Sequence, residues 1–307
     1  DSLDNDESII SSRGKSTFAI EGQISNSIRS FIESKGEVEI TANSIGNSGD
    51  IVSREGSVSI AVENDLANAN SGKVSAKKLL SLESRSGELK LEGLEYSEGA
   101  IALKTKKDFK NGSRIISNGG MVTISTEGKF TNSREIEAPS GFSLSALAVE
   151  NLGAIKLGGA KAAITAKGQI VNLATIEGDV GTLALVTTTD VNLTDSGKIL
   201  LKGRLESESN HFTNAGKLVA EKGGAINASS SFNTKTGSVI NFYEGKMEID
   251  TPLFTTEIKS NVAGKDVVIN GKSKQSGLPA GSINNSGTLF AKSALEIYNK
   301  VSLANKK

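Results

Sequence analysis

Three pairs of glutamates stand two residues apart in the sequence: Glu37 with Glu39, Glu135 with Glu137, and Glu206 with Glu208. On an extended strand that spacing puts both members on one face. Glycoside chemistry needs two such groups about 5–9.5 Å apart across a groove, with aromatic rings to seat a sugar. The chain has no Trp and only three tyrosines, Tyr96, Tyr243 and Tyr298. The pairs are therefore expected to form solvated, ion-paired faces. One histidine, His211, and no cysteine leave too few ligands for a zinc or haem centre. No catalytic residue, metal or cofactor is expected. "NGKSK" (Asn270 to Lys274) has the ending of a phosphate-binding loop, but Asp266 stands where that loop needs glycine. "KTKKDFK" (Lys104 to Lys110) is a basic cluster around one aromatic, and it reads as an exposed face.

The elements that would position any such groups are built from small residues. Of 307 residues, 33 are Gly, 3 are Pro and 10 are Phe, while 36% are hydrophobic. That fraction is too high for disorder, and the core must be assembled from Ile, Val, Leu and Ala. The 35 basic and 35 acidic side chains cancel, so no long-range field draws the chain to nucleic acid. No stretch approaches the roughly 20 apolar residues of a membrane helix. The acidic opening "DSLDNDES" does not read as a signal peptide.

Order comes from a repeat. "IGNSGDIVSREGSVSI" from Ile45, "FKNGSRIISNGGMVTI" from Phe109, "IVNLATIEGDVGTLAL" from Ile170 and "HFTNAGKLVAEKGGAI" from His211 share one grammar. An apolar residue comes two before an Asn, a small residue and another apolar follow, and a Gly then precedes alternating apolars. The anchors read as Asn26, Asn47, Asn70, Asn111, Asn132, Asn151, Asn172, Asp195 and Asn214, with Ser97 as a degenerate copy and Asn285 restoring the motif in "NSGTL". Asn26 to Asn47 and Asn111 to Asn132 each span 21 residues.

Alternating apolars such as Val58/Ile60 and Val122/Ile124 have the two-residue period of strands with one buried face. Gly and Asn suit tight corners, because both tolerate the left-handed conformation. A unit of this length holds three short strands and three corners. The predicted fold is all-β: a right-handed parallel β-helix (β-solenoid) with rungs of about 21 residues. About 14 rungs stacked at the inter-strand spacing would make a monomeric rod of roughly 65–70 Å. At one corner the anchors should form a ladder, each amide donating to the side-chain oxygen of the next. His211 then falls in a corner or strand edge with a structural role.

"NSG" followed by an apolar residue, with a Gly-punctuated strand pair in each rung, resembles the filamentous haemagglutinin repeat. The resemblance covers roughly residues 20–240 and 283–300. It implies a shaft of a large secreted bacterial surface exoprotein, either an adhesin or the stalk of a contact-dependent inhibition toxin. It also implies export through an outer-membrane partner transporter, and a receptor on a host cell or a neighbouring bacterium. The Asn-Pro-Asn motifs usual in the secretion domain of that family are absent, so the chain reads as an internal shaft segment.

Domain boundaries follow the grammar: regular rungs over 1–240, irregular rungs or a loop insertion over 241–282, and final rungs over 283–307. The irregular part gathers Phe242, Tyr243, Met247 and Phe254, the candidate partner contacts, since binding energy concentrates in a few aromatic side chains. The leading functional reading is a non-enzymatic shaft that presents a tip away from the cell. The rivals are a receptor-binding segment of a contact-dependent inhibition toxin and a β-helical polysaccharide lyase or hydrolase.

Overall fold

The computed structural model describes residues 1–271, 282–298 and 302–305. Among them the chain is all-β, a right-handed parallel β-helix of about 13 turns with roughly 21 residues in each. It divides into two compact units. The first comprises Asp1–Leu147 with Gly153–Leu157, and the second Ala148–Leu152 with the chain from Gly158 onward.

Each unit is held by columns of side chains that repeat once per turn. In the first unit Ile24, Ile45, Leu66, Leu89, Phe109 and Phe130 pair in parallel register, all buried. A second column runs Ile32, Ile51, Val74, Glu95, Ile115, Ile136 and Ile155. A third runs Val38, Val58, Leu80, Ile101, Val122 and Phe142. The second unit has the same plan, with Val149, Ile170, Val191, Phe212, Phe232, Phe254 and Ile283 in its first column. Because successive residues of a strand face opposite sides, the alternating sequence sends every second residue into these columns. A one-residue slip would expose an entire column.

The anchor corner also follows the repeat, with corrections. In the first unit the corner positions are Asn5, Asn26, Asn47, Asn68, Leu91, Asn111 and Asn132. Asn70 is not an anchor: it lies in the turn two residues beyond Asn68, which takes the buried place. The degenerate turn carries Leu91, not Ser97, at the corner. In the second unit the positions are Asn151, Asn172, Leu193, Asn214, Thr234, Thr256 and Asn285. Leu193 displaces Asp195, which falls in the following turn. Short hydrophilic turns of variable length let a near-match slide by two residues, and only the strand pairing resolves it.

The corner glycines are there for close approach. Among the described residues no anchor Asn has positive φ. A Cβ on Gly49, however, would lie 2.3 Å from the Ser30 carbonyl oxygen and 2.9 Å from Asn26 Nδ2. Glycine after the anchor thus leaves room for the amide of the turn before. The left-handed reading holds elsewhere, as at Gly223 with φ 86° ahead of the strand Gly224–Thr234.

As far as it is described, the region from residue 241 onward is built of paired strands. Strands Val239–Asp250, Leu253–Thr256 and Asn261–Asn270 pair in parallel with the neighbouring turns, with a register shift between Phe242 and Lys246. Residues 272–281, which the expected irregular segment 241–282 includes, lie outside the described residues.

The corrected register yields a test. Asn68→Ala removes an interior donor and acceptor and should destabilise the protein by about 1–3 kcal/mol. Asn70→Ala, in the turn, should change stability by less than about 0.5 kcal/mol. Denaturant unfolding of the two variants checks this, and equal losses would contradict the register.

Candidate functional site

The carboxylate pairs come first, because they are the residues that could do chemistry. Lys15 Nζ sits 2.6 Å from Glu39 and 3.7 Å from Glu37. Its hydrogen bond to Glu39 chiefly raises its pKa. Glu135 and Glu137 share Arg114 and Lys156, with Lys156 Nζ 2.5 Å and Arg114 Nε 3.0 Å from Glu135. The Lys156 hydrogen bond holds the Glu135 carboxyl below its ordinary range and raises Lys156 in turn. Glu206 takes Arg204 at 3.0 Å. These cations come mostly from adjacent turns, so the pairs form ion ladders on outward faces. Such exposed pairs contribute little to stability and weaken with salt.

Glu208 lines a polar hollow of about 270 Å³ in the second unit with Thr187, Asn210, Asn227 and Asp250. Glu208, Asn227 and Asp250 are in register on consecutive turns. The two carboxylates are therefore about 9–10 Å apart along the stack. Asp250 accepts from Asn270 Nδ2 at 2.6 Å, and Asn210 Oδ1 accepts from Ser229 at 3.0 Å. No aromatic ring lines the hollow.

Of the four candidate partner contacts, three are corrected. Phe242, Met247 and Phe254 are buried column residues. Phe254 stacks on Phe232 with ring centres 5.2 Å apart, and Phe232 on Phe212 at 5.6 Å. Each aromatic falls at an inward position of the two-residue alternation, so the side chains fill the coil. Tyr243 alone is exposed, at 55%. In the basic cluster Phe109 is likewise interior, edge-on to Phe130 at 5.3 Å, while Lys104 pairs with Glu83 at 2.8 Å. His211 Nδ1 lies 2.8 Å from Ser231 Oγ in a strand, as a structural residue would.

The ladder itself runs in stretches of linked amides. Nδ2 of Asn5, Asn26 and Asn47 each donates to Oδ1 of the next anchor at 2.7 Å. Asn111 donates to Asn132, and Asn151 to Asn172, at 2.8 Å. Where a leucine replaces the anchor, the line is interrupted. At Leu193 the break stays open: Asn172 turns to the Ala174 and Lys198 carbonyls, both at 3.0 Å, and Asn214 Oδ1 has no partner. At Leu91 the outcome differs. Asn68 Nδ2 donates to Glu95 Oε1 at 2.6 Å, and Asn111 Oδ1 accepts from Ser113 Oγ at 2.7 Å.

Glu95 is fully buried, occupying the Ile/Val column between Val74 and Ile115. Burial pushes its carboxyl up to about 7, against the opposing pull of Ser113, Asn68 and its own backbone. Ser113 lies alongside, but its hydroxyl proton is committed to Asn111, and Glu95 Oε2 has no hydrogen bond. Sequence reasoning missed this residue because the anchor was placed at Ser97. With Leu91 in register, "LEYS" aligns with "KVSA" and "RIIS", and the glutamate at an isoleucine position becomes visible.

Comparison of the chain with protein-family models, curated proteins and solved structures returned no match.

The burial of the aromatics gives a second test. Phe232→Ala, in the middle of the phenylalanine stack, should cost about 3–5 kcal/mol. Tyr243→Ala should stay within about 0.5 kcal/mol. Thermal unfolding distinguishes them, and a neutral Phe232→Ala would mean that the stack is not core.

Proposed function

We propose that the chain is a structural shaft segment of a large secreted bacterial surface exoprotein of the filamentous haemagglutinin type, a non-enzymatic spacer that holds a binding or toxin tip away from the cell. The observation that carries this reading is the division of labour between the two sides of each strand. Inward positions are filled turn after turn by side chains in register, and outward carboxylates are neutralised by lysines and arginines, mostly from neighbouring turns. Solenoid units of this kind contact chiefly their neighbours, so length can change by whole repeats without disturbing what lies further along. The aromatic anchors of the receptor-binding rival are used in the core, which favours the spacer. Export would run through an outer-membrane partner transporter, placing the shaft at the bacterial surface. The adhesin and toxin-stalk versions differ in the tip, not in the shaft.

Excising one complete turn tests the spacer reading in the parent exoprotein. Removal of Ser27–Asn47, the 21 residues that follow Asn26 up to the next anchor, joins two corners in register. Surface display should still depend on a transporter encoded beside the gene, and tip activity should persist. Loss of a binding or catalytic activity in a variant that still folds and reaches the surface would contradict the proposal.

A further inference from the structure

The amide ladder has a direction, and that direction fixes what Glu95 must be. The amide-to-amide bonds from Asn5 to Asn26, Asn26 to Asn47, Asn47 to Asn68 and Asn111 to Asn132 in the first unit all run forward. Asn68 continues forward by donating to Glu95 Oε1, and Ser113 rejoins the line by donating its hydroxyl proton to Asn111 Oδ1. Between them one link is missing: Glu95 Oε2 is buried with no hydrogen-bond partner, on the side chain that Ser113 influences. A carboxylate has only acceptors. A carboxylic acid has one acceptor and one donor, the same pair of functions that an Asn amide provides.

We infer that Glu95 is held as a neutral carboxylic acid that splices the ladder across Leu91, and that its ionisation is a proton-controlled release of the turns around it. The protonated Oε2 donates to Ser113 Oγ, giving an unbroken line from Asn68 through Glu95, Ser113 and Asn111 to Asn132. The open break at Leu193 is the internal comparison. There the column position corresponding to Glu95 is Ile199, no splice exists, and Asn214 Oδ1 is left without a partner.

Nothing charged offsets the buried group. The charged residues on the strands around it are Lys73, Glu83, Lys90, Lys104, Lys110 and Arg114, and all stand at outward-alternating positions. Loss of the proton would leave an ionised carboxyl in an Ile/Val column, bonded by Asn68 and otherwise only pulled on by Ser113 and its own backbone, with no cation to offset it, an arrangement that interiors disfavour strongly.

The sign of the effect follows from linkage. The folded carboxyl titrates near 7 and the exposed one near its ordinary 4.5. The native state therefore holds the proton more tightly. Its stabilisation is complete below about pH 4.5, declines as pH rises, and is lost above about pH 7. The opening constant of the surrounding turns should rise by about 100-fold or more across that interval.

Hydrogen exchange of the intact chain, corrected for intrinsic rates, reads this out in strands Lys73–Ala76, Leu94–Ser97 and Arg114–Ser117. Wild type should lose protection there between pH 5 and pH 8, while the strands around Leu193 show no comparable loss. Glu95→Gln keeps one acceptor and gains a permanent donor, so its protection should be flat with pH. A wild type flat with pH, or a Glu95→Gln variant that declines in parallel with it, would overturn the inference. Infrared spectroscopy of the wild type needs no variant and decides the case if Glu95→Gln fails to fold. A protonated-acid carbonyl band that titrates away near pH 7 is expected, and absence of that band at pH 6 would overturn the proposal.

Discussion

Everything in this chain depends on closing each turn so that equivalent residues lie over one another. Parallel strands in register put identical side chains at the inter-strand spacing of about 4.8 Å, which suits groups that can bond to or pack on copies of themselves. Aliphatic side chains do so by dispersion and by exclusion of water. Asn does so because its amide is both donor and acceptor, so a buried polar group at a corner finds its partner in the next copy. A stack of this kind needs few large residues, which explains how a core forms without Trp and with 4% aromatic content.

The same constraint explains the departures. A leucine at an anchor position contributes apolar burial but orphans the amides on either side, and the two leucines are handled differently. At Leu193 the neighbouring Asn172 falls back on backbone carbonyls. At Leu91 an acidic residue takes an isoleucine place and reconnects the line. A buried polar line of this kind is worth most when every member is satisfied, since an unpaired group in the interior costs more than an apolar one. Outward positions face no such demand, and they carry the charged residues as exposed ion ladders.

Much of this was legible from the residues. The alternation of Val58 with Ile60 and of Val122 with Ile124 required strands, and the 21-residue spacing of Asn26 and Asn47 implied the stacked coil. The errors share one physical origin. Local pattern marks a corner but not its register, because turns such as the one holding Asn70 carry Asn and Ser of their own. Two-residue slips at Asn70 and Asp195, and a larger one at Ser97, followed, and the last concealed Glu95. Likewise, composition showed that Phe242, Met247 and Phe254 cluster, while only the strand alternation decides that they face inward. That Glu135 stands on an ion-paired face was legible, but not which cations serve it, since Arg114 and Lys156 lie 21 residues away on either side.

The central claim is that anchor amides on successive turns donate one to the next, as from Asn5 through Asn26 and Asn47 to Asn68. Nuclear magnetic resonance can observe it through scalar couplings across hydrogen bonds. The account predicts a coupling from the Asn26 side-chain amide nitrogen to the Asn47 side-chain carbonyl carbon, and from Asn47 to Asn68, with side-chain amide protons that exchange slowly with water. Fast-exchanging Asn26 and Asn47 amides without those couplings would contradict it.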